Sequence, residues 1–404
     1  MLLEIDPWKV VDPSEFRARQ DGVRRIAAER GLDGVVVFSR GGAFMDMSHD
    51  VLYLANHYSQ QPYMGDEAGI GTARSHGVCV IPVEGPVRVV VDIPWWRPDL
   101  VVADDITTTI HVVEGAAAAV REAGLAHGRL GLVGASYMTA ASYLGLVAEL
   151  PDAQIVREDD LVEQLRIRKS PAELQLIRAA CDLGNATLET LLGAVVEGAT
   201  EAEAVGEASR TLIAGGGVLY DAACGSGPWA GQFTYNRLPS ADATRRFEKG
   251  DMFHVDCYGA FGGYLFDFGR SRVVGDDPSP AQAQLLEATI DCVETVCAAI
   301  RPGATAGEAY DVCEQWLRDS PLPAWTTEED PEMESFPAAG HGLGMMWERP
   351  YLMPGDATVL EPGMYLAVEM LLAHPEGGAA SFEHNGLVTD DGFEILTTAR
   401  ARWH

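Results

Sequence analysis

The chain has 404 residues, 47% hydrophobic and 22% charged, the make-up of an ordinary globular protein with room for two cores. Its 29 Lys+Arg stand against 60 Asp+Glu, and the formal charge of −31 argues against nucleic acid or an anionic membrane as a partner. No stretch approaches the roughly 20 apolar residues of a membrane span, and the start MLLEIDPWKV lacks the basic, then apolar, pattern of a signal peptide. Seven scattered cysteines without a C-x-x-C pair predict reduced thiols and a cytoplasmic protein.

Ser14-Glu15-Phe16 opens a helical pattern that runs to about Arg30 and stops at Gly31. The runs DGVVVF (33–38), VLYLAN (51–56), GVCVIP (77–82), VRVVVD (87–92) and RLGLVG (129–134) read as strands, with helical stretches at 114–124 and 138–149. This alternation predicts an α/β domain over residues 1–160. Its aromatic segments, HYSQQPYMGDE (57–67) and Trp95-Trp96, are candidate binding surfaces. A long charged helix follows from Glu158, broken near Pro171, where the ring removes a backbone N–H and clashes with the preceding turn. Beyond it come strands near 217–224 and 252–268, helices near 280–300 and 306–318, and strands near 364–370, 382–389 and 394–397. Helices among antiparallel hairpins predict an α+β fold for a second domain, 161–404.

The segment HVDCYGAFGGYLFDFGRS reads as two apolar strands joined by a glycine-rich turn. With the turn at Phe261-Gly262, Asp256 faces Asp267 across the ladder. Opposed carboxylates repel, and a divalent cation between them reverses the sign, since hard oxygen ligands suit such metals. Downstream, GHGLG places His341 where backbone can approach closely, VLEPGMYLAVEM brings Glu369 on a strand, and SFEHNGLVTDDGFEILT brings Glu383 on another. Cys257 and His384 alternate away from their acidic neighbours and are expected to be structural.

The order of these five residues, with the flanks GHGLG, LEPGM and VTDDGFEILT, resembles the creatinase/prolidase/methionine-aminopeptidase superfamily, the pita-bread metallopeptidases. LRIRKSPAELQLIRAA is similar to that family's entry helix, and GLDGVVVF with VLYLAN to the creatinase-type N-terminal domain. The resemblance implies two divalent metals (Mn, Fe, Co or Zn), Asp267 and Glu383 bridging, Asp256 on one metal, His341 and Glu369 completing the other. It also implies a homodimer in which His57, Tyr63 or Trp95 reaches a partner's pocket, and Arg270, in FDFGRS, as a brace for the metal carboxylates.

The chain departs from that family at two histidines that handle the scissile region. Asn236 stands near the first, and Glu348, seven residues after His341, stands at the second. Glutamate can act as acid or base, asparagine cannot. His254, two residues before Asp256, should share its face and oppose Gly269, where it could orient Asp256, touch substrate or sit inert. Arg349 and Arg237 are candidates for a substrate carboxylate. The expectation is a dinuclear hydrolase of a small amide or dipeptide-like C–N bond. The alternative is a metal-dependent lyase on the same site, similar to dimethylsulfoniopropionate lyases, with Glu348 or a hydroxide abstracting a proton.

Overall fold

Local signals decide most helix ends in the computed structural model, which describes residues 5–41, 49–67, 69–231, 239–275, 277–320, 322 and 338–403. Asp12 caps α1 (Pro13–Glu29) by accepting from the N–H of Ser14. Then come β1 (Gly34–Arg40), α2 (Asp50–Ala55), β2 (His76–Pro82), β3 (Arg88–Val91), β4 (Asp105–Thr108), α3 (Val112–Glu122), β5 (Arg129–Val133), α4 (Ala140–Glu149), β6 (Gln154–Arg157) and α5 (Asp160–Arg166). These form one compact unit, Asp6–Arg166, around a mixed sheet of order β4-β3-β2-β1-β5-β6. Its valine-rich strands are buried on both faces, with α3 packed on the core of Val36, Val78, Val80 and Leu130.

The expected strand VLYLAN is a helix, α2, that ends at Asn56 in the left-handed conformation (φ 51°). All six of its residues are buried, so no polar–apolar alternation distinguishes the two readings, and a short apolar run is ambiguous by periodicity alone.

The second compact unit holds Ile167–His404. It contains α6 (Pro171–Ala194), α7 (Glu201–Ala214), β7 (Val218–Ser226), β8 (Met252–Phe261), β9 (Tyr264–Val273), α8 (Pro280–Ala299), α9 (Ala306–Asp319), β10 (Gly340–Leu343), β11 (Trp347–Tyr351), β12 (Tyr365–His374), β13 (Gly378–Val388) and β14 (Phe393–Ile395). Proline does break the charged helix: α5 stops at Arg166, and Ser170 opens α6 with a capping box to Glu173 and Pro171 in the first turn.

Two sheets result, β7-β8-β9 and β11-β10-β12-β13-β14. Each is apolar towards helices. On β9, Phe266 and Phe268 lie under Gly184 of α6, where an added Cβ would come within 2.7 Å of the Phe266 ring. On the larger sheet Leu366, Val368 and Phe382 join Ile290, Val293 and Val296 of α8 in a core. Strand alternation sends the intervening residues, Asp267, Glu369 and Glu383, to the other face.

Candidate metal centre

The β8–β9 turn decides how the two aspartates meet. Gly262 and Gly263 both have positive φ (60° and 86°), as a two-residue type I′ hairpin loop requires. The ladder therefore closes on Phe261↔Tyr264 rather than one position earlier, and the expected facing pair is corrected. Asp256 faces Gly269 and Asp267 faces Tyr258, with the aspartates diagonal. A shift of two positions keeps both carboxylates on one face, which is why the cation argument survives the wrong register. His254 likewise faces Ser271 instead of Gly269; it is fully buried on the Asp256 face.

Across from them, Glu369 and Glu383 are direct cross-strand partners on β12 and β13. His341 sits on β10 next to β12, paired with Ala367. Its Nε2 lies 3.7 Å from Asp267 Oδ2 and 3.7 Å from Glu369 Oε1. Asp267, His341 and Glu383 each offer a ligand atom, all within 4.8 Å of one another. Asp256 lies close enough to Asp267, Glu369 and Glu383 for their charges to act on it. All five expected ligands thus converge on one cluster.

The cluster is held by side chains that bridge the two sheets where backbone ladders stop. Asn385 on β13 accepts from the N–H of Asp267 (2.9 Å) and donates to its carbonyl. The Ser271 hydroxyl donates to the Ser381 carbonyl and accepts from its N–H. Gly269 permits the approach, since a Cβ there would stand 2.6 Å from Ser381 Oγ. Arg270 is buried on the far face of β9, and its guanidinium donates to the carbonyls of Gly269, Glu383 and Ala399. It braces the Glu383 backbone and the C-terminal segment, and burial pulls its pKa down to about 9. His384 points away from the cluster to Thr397 Oγ1 at 2.9 Å.

Electrostatics favour a cation. Burial, then repulsion from Asp267 and Glu369, holds Asp256 well above the carboxylate range. Burial, then Asp267, Asp256 and Glu369, does the same to Glu383. Burial also raises Asp267 and Glu369. Asp256 Oδ1 and Asp267 Oδ1 are buried without a hydrogen-bond partner. Orphaned carboxylate oxygens beside an imidazole fit a divalent metal, and carboxylate-plus-imidazole donors suit Mn²⁺, Fe²⁺, Co²⁺ or Zn²⁺.

The profile of metallopeptidase family M24 matches residues 175–390, more than half of the chain. The chain belongs to metallopeptidase family M24. A curated Xaa-Pro dipeptidase of Pyrococcus furiosus is 26% identical over 243 residues, which span 59% of this M24 chain and 65% of that protein. The match thus covers just under two thirds of that relative. The solved Xaa-Pro dipeptidase of Bacillus anthracis superposes with a TM-score of 0.74 at 24% identity, covering 95% of this chain and 98% of that one. The prolidase of Pyrococcus horikoshii gives 0.74 at 18% identity, covering 95% and 99%. The fold is therefore a creatinase-type N-terminal domain followed along the chain by the pita-bread catalytic domain, α+β as expected.

The remaining candidates fall differently. Glu348, expected as an acid or base near the metals, is directed elsewhere. Its Oε1 lies 2.5 Å from Lys169 Nζ, and both side chains are almost fully buried (1% and 2% exposed). Its neighbour Trp347 is the β11 residue that reaches the cluster, donating from Nε1 to Asp267 Oδ2. Counting seven residues from His341 misses this because the short turn between β10 and β11 and the bulge after His341 reset which side chain faces inward. Arg349 shares the exposed side of β11 with Trp347. In the N-terminal unit His57 is buried, its ring against Gly77, and burial lowers its pKa. Trp95 is 80% exposed and Tyr63 37%. Asn236 and Arg237 lie outside the described residues. All seven cysteines are buried, and none is in a disulfide. Among the described residues no helix is long and apolar enough to cross a membrane.

Proposed function

We propose that the chain is a dinuclear metal-dependent hydrolase of a small C–N bond, an Xaa-Pro dipeptidase-like enzyme. The observation that carries this reading is the convergence of Asp256, Asp267, His341, Glu369 and Glu383, with buried carboxylate oxygens left unpartnered. Asp267 and Glu383 are assigned as bridging ligands, Asp256 to one metal, and His341 with Glu369 to the other. Bound there, two divalent cations supply an acidified water and a polarised substrate carbonyl.

The chain's own groups set the rest. Asn385 and Arg270 hold the backbones of Asp267 and Glu383, so the ligands are pre-positioned at low entropic cost. Arg349 is assigned to a substrate carboxylate at the rim, where its planar fork suits that group. Elimination with Glu348 as base loses its support, because that carboxylate is engaged by Lys169 on the opposite side of β11. Hydrolysis is therefore preferred over elimination with Glu348 as base, and product chemistry separates it from elimination by a hydroxide. In the homodimer that the family resemblance implies, the exposed Trp95 and Tyr63, rather than buried His57, are the residues available to a partner's pocket.

The test is elemental analysis of purified protein, followed by assay of Xaa-Pro dipeptides and other small amides with added Mn²⁺ or Co²⁺ in ¹⁸O-water. Stoichiometric metal and ¹⁸O in a carboxylate product are expected. An alkene product without label, or no metal uptake after loading, would overturn the assignment.

A further inference from the structure

On the basis of the metal centre proposed above, we propose that Trp347 is a positioning residue for Asp267. Its indole N–H fixes the rotation of the Asp267 carboxylate, and with it the plane in which both oxygens face the cations.

Asp267 has little other freedom. Asn385 fixes its backbone at both N–H and carbonyl. What remains is the side chain's own two torsions, of which the terminal one is intrinsically broad. Trp347 Nε1 restrains that terminal rotation by donating to Oδ2, while Oδ1 stays buried and unpartnered. Indole is a donor only, so the bond has a single sense, and the oxygen it engages is the one that faces His341 Nε2.

The indole is itself clamped. The rings of Tyr258 and His341 meet it edge to face, with centroids at 5.7 and 6.0 Å. The next residue, Glu348, is pinned to Lys169 on the opposite side of the strand, which stops β11 from rolling. Trp347 is nevertheless 41% exposed, whereas Asp267, His341 and Tyr258 are buried. It stands at the rim of the cluster with its donor turned inward.

A second indole in the same unit makes the same bond elsewhere: Trp316 Nε1 on α9 donates to Asp291 Oδ2 on α8 at 2.7 Å. The two can be compared directly. Trp347→Phe and Trp316→Phe each keep a ring and lose one indole–carboxylate hydrogen bond. In metal-stripped full-length protein, Mn²⁺ and Co²⁺ affinities are measured by chelator competition and the Co²⁺ absorption bands recorded. Trp347→Phe should weaken binding about tenfold or more and shift the Co²⁺ bands, because partners of a ligating carboxylate tune the metal. Trp316→Phe should change neither. Should Trp347→Phe fail to fold, Trp347→Gln, which retains an N–H donor, should bind metal more tightly than Trp347→Leu. Affinity within twofold of wild type in Trp347→Phe, or an equal loss in Trp316→Phe, overturns the proposal. Wild-type protein that takes up no metal would instead overturn the metal centre itself.

Discussion

Replacing Glu348 by glutamine separates a structural ion pair from a catalytic base. In the wild type the carboxylate meets the Lys169 ammonium at 2.5 Å, with exposures of 1% and 2%. The substitution leaves that ammonium buried against a neutral amide, with the Ile167 carbonyl (3.2 Å) as its other acceptor. Removing one partner of a buried pair costs about 3–5 kcal/mol, and the surviving hydrogen bond favours the lower end, about 3. For a unit of this size each kcal/mol lowers the melting temperature by roughly 2–4 °C, so a fall of about 6–12 °C is expected. The double variant Lys169→Met/Glu348→Leu should recover much of it, since apolar residues of similar volume replace a buried pair at little cost. Circular-dichroism melts of the full-length chain, with and without Mn²⁺, measure the shift, and kcat is measured alongside. A Glu348→Gln protein melting within about 2 °C of wild type but losing about 100-fold in kcat would refute this reasoning and restore the acid–base role.

The buried carboxylates make stability depend on pH in a direction opposite to the usual one. In the metal-free protein the folded-state pKa values of Asp256 and Glu383 lie above their unfolded values. Their stabilisation is complete below the unfolded value, near 4, and is lost as pH rises through the raised folded values. Metal-stripped protein should therefore melt lower at about pH 8 than at about pH 5, and Mn²⁺ should raise the melt more at the higher pH, because ligands bind deprotonated. A melting temperature that climbs across this interval without metal contradicts the picture. Asn385→Leu strips both backbone partners from Asp267 in a buried site and should cost about 2–4 kcal/mol in urea unfolding. It should also weaken Mn²⁺ binding; unfolding within about 1 kcal/mol of wild type would show that Asn385 is not what holds that strand.

Much of the fold and of the candidate centre was legible because period and punctuation are local. The helical patterns from Ser14, 280–300 and 306–318 fall on α1, α8 and α9, which the structure caps with Asp12, Ser279 and Thr305. The alternation Phe266-Asp267-Phe268 declares which side of β9 is core and which carries charge. VLYLAN reads as a strand yet folds as α2, because burial on every side erases the pattern that separates helix from strand. The β8–β9 register differs from the expected one because it depends on which two residues of the glycine-rich turn take positive φ, and Phe261 cannot compete with Gly263 for that place.

The sequence by itself determined the chemistry available here: five candidate ligands in order, an acidic chain, cysteines without a paired motif and a proline break before α6. These are properties of residue type and short spacing, which survive in one dimension. Only the tertiary structure decided which side chains meet. It paired Glu348 with Lys169 in a buried ion pair and aimed the Trp347 indole N–H at Asp267, and it set Asn385 as the link between β9 and β13. The physical reason is that a strand's inward face is set by its turn, its bulge and its neighbours across the sheet. A one-residue difference in that setting exchanges a buried ion pair for a metal-site donor.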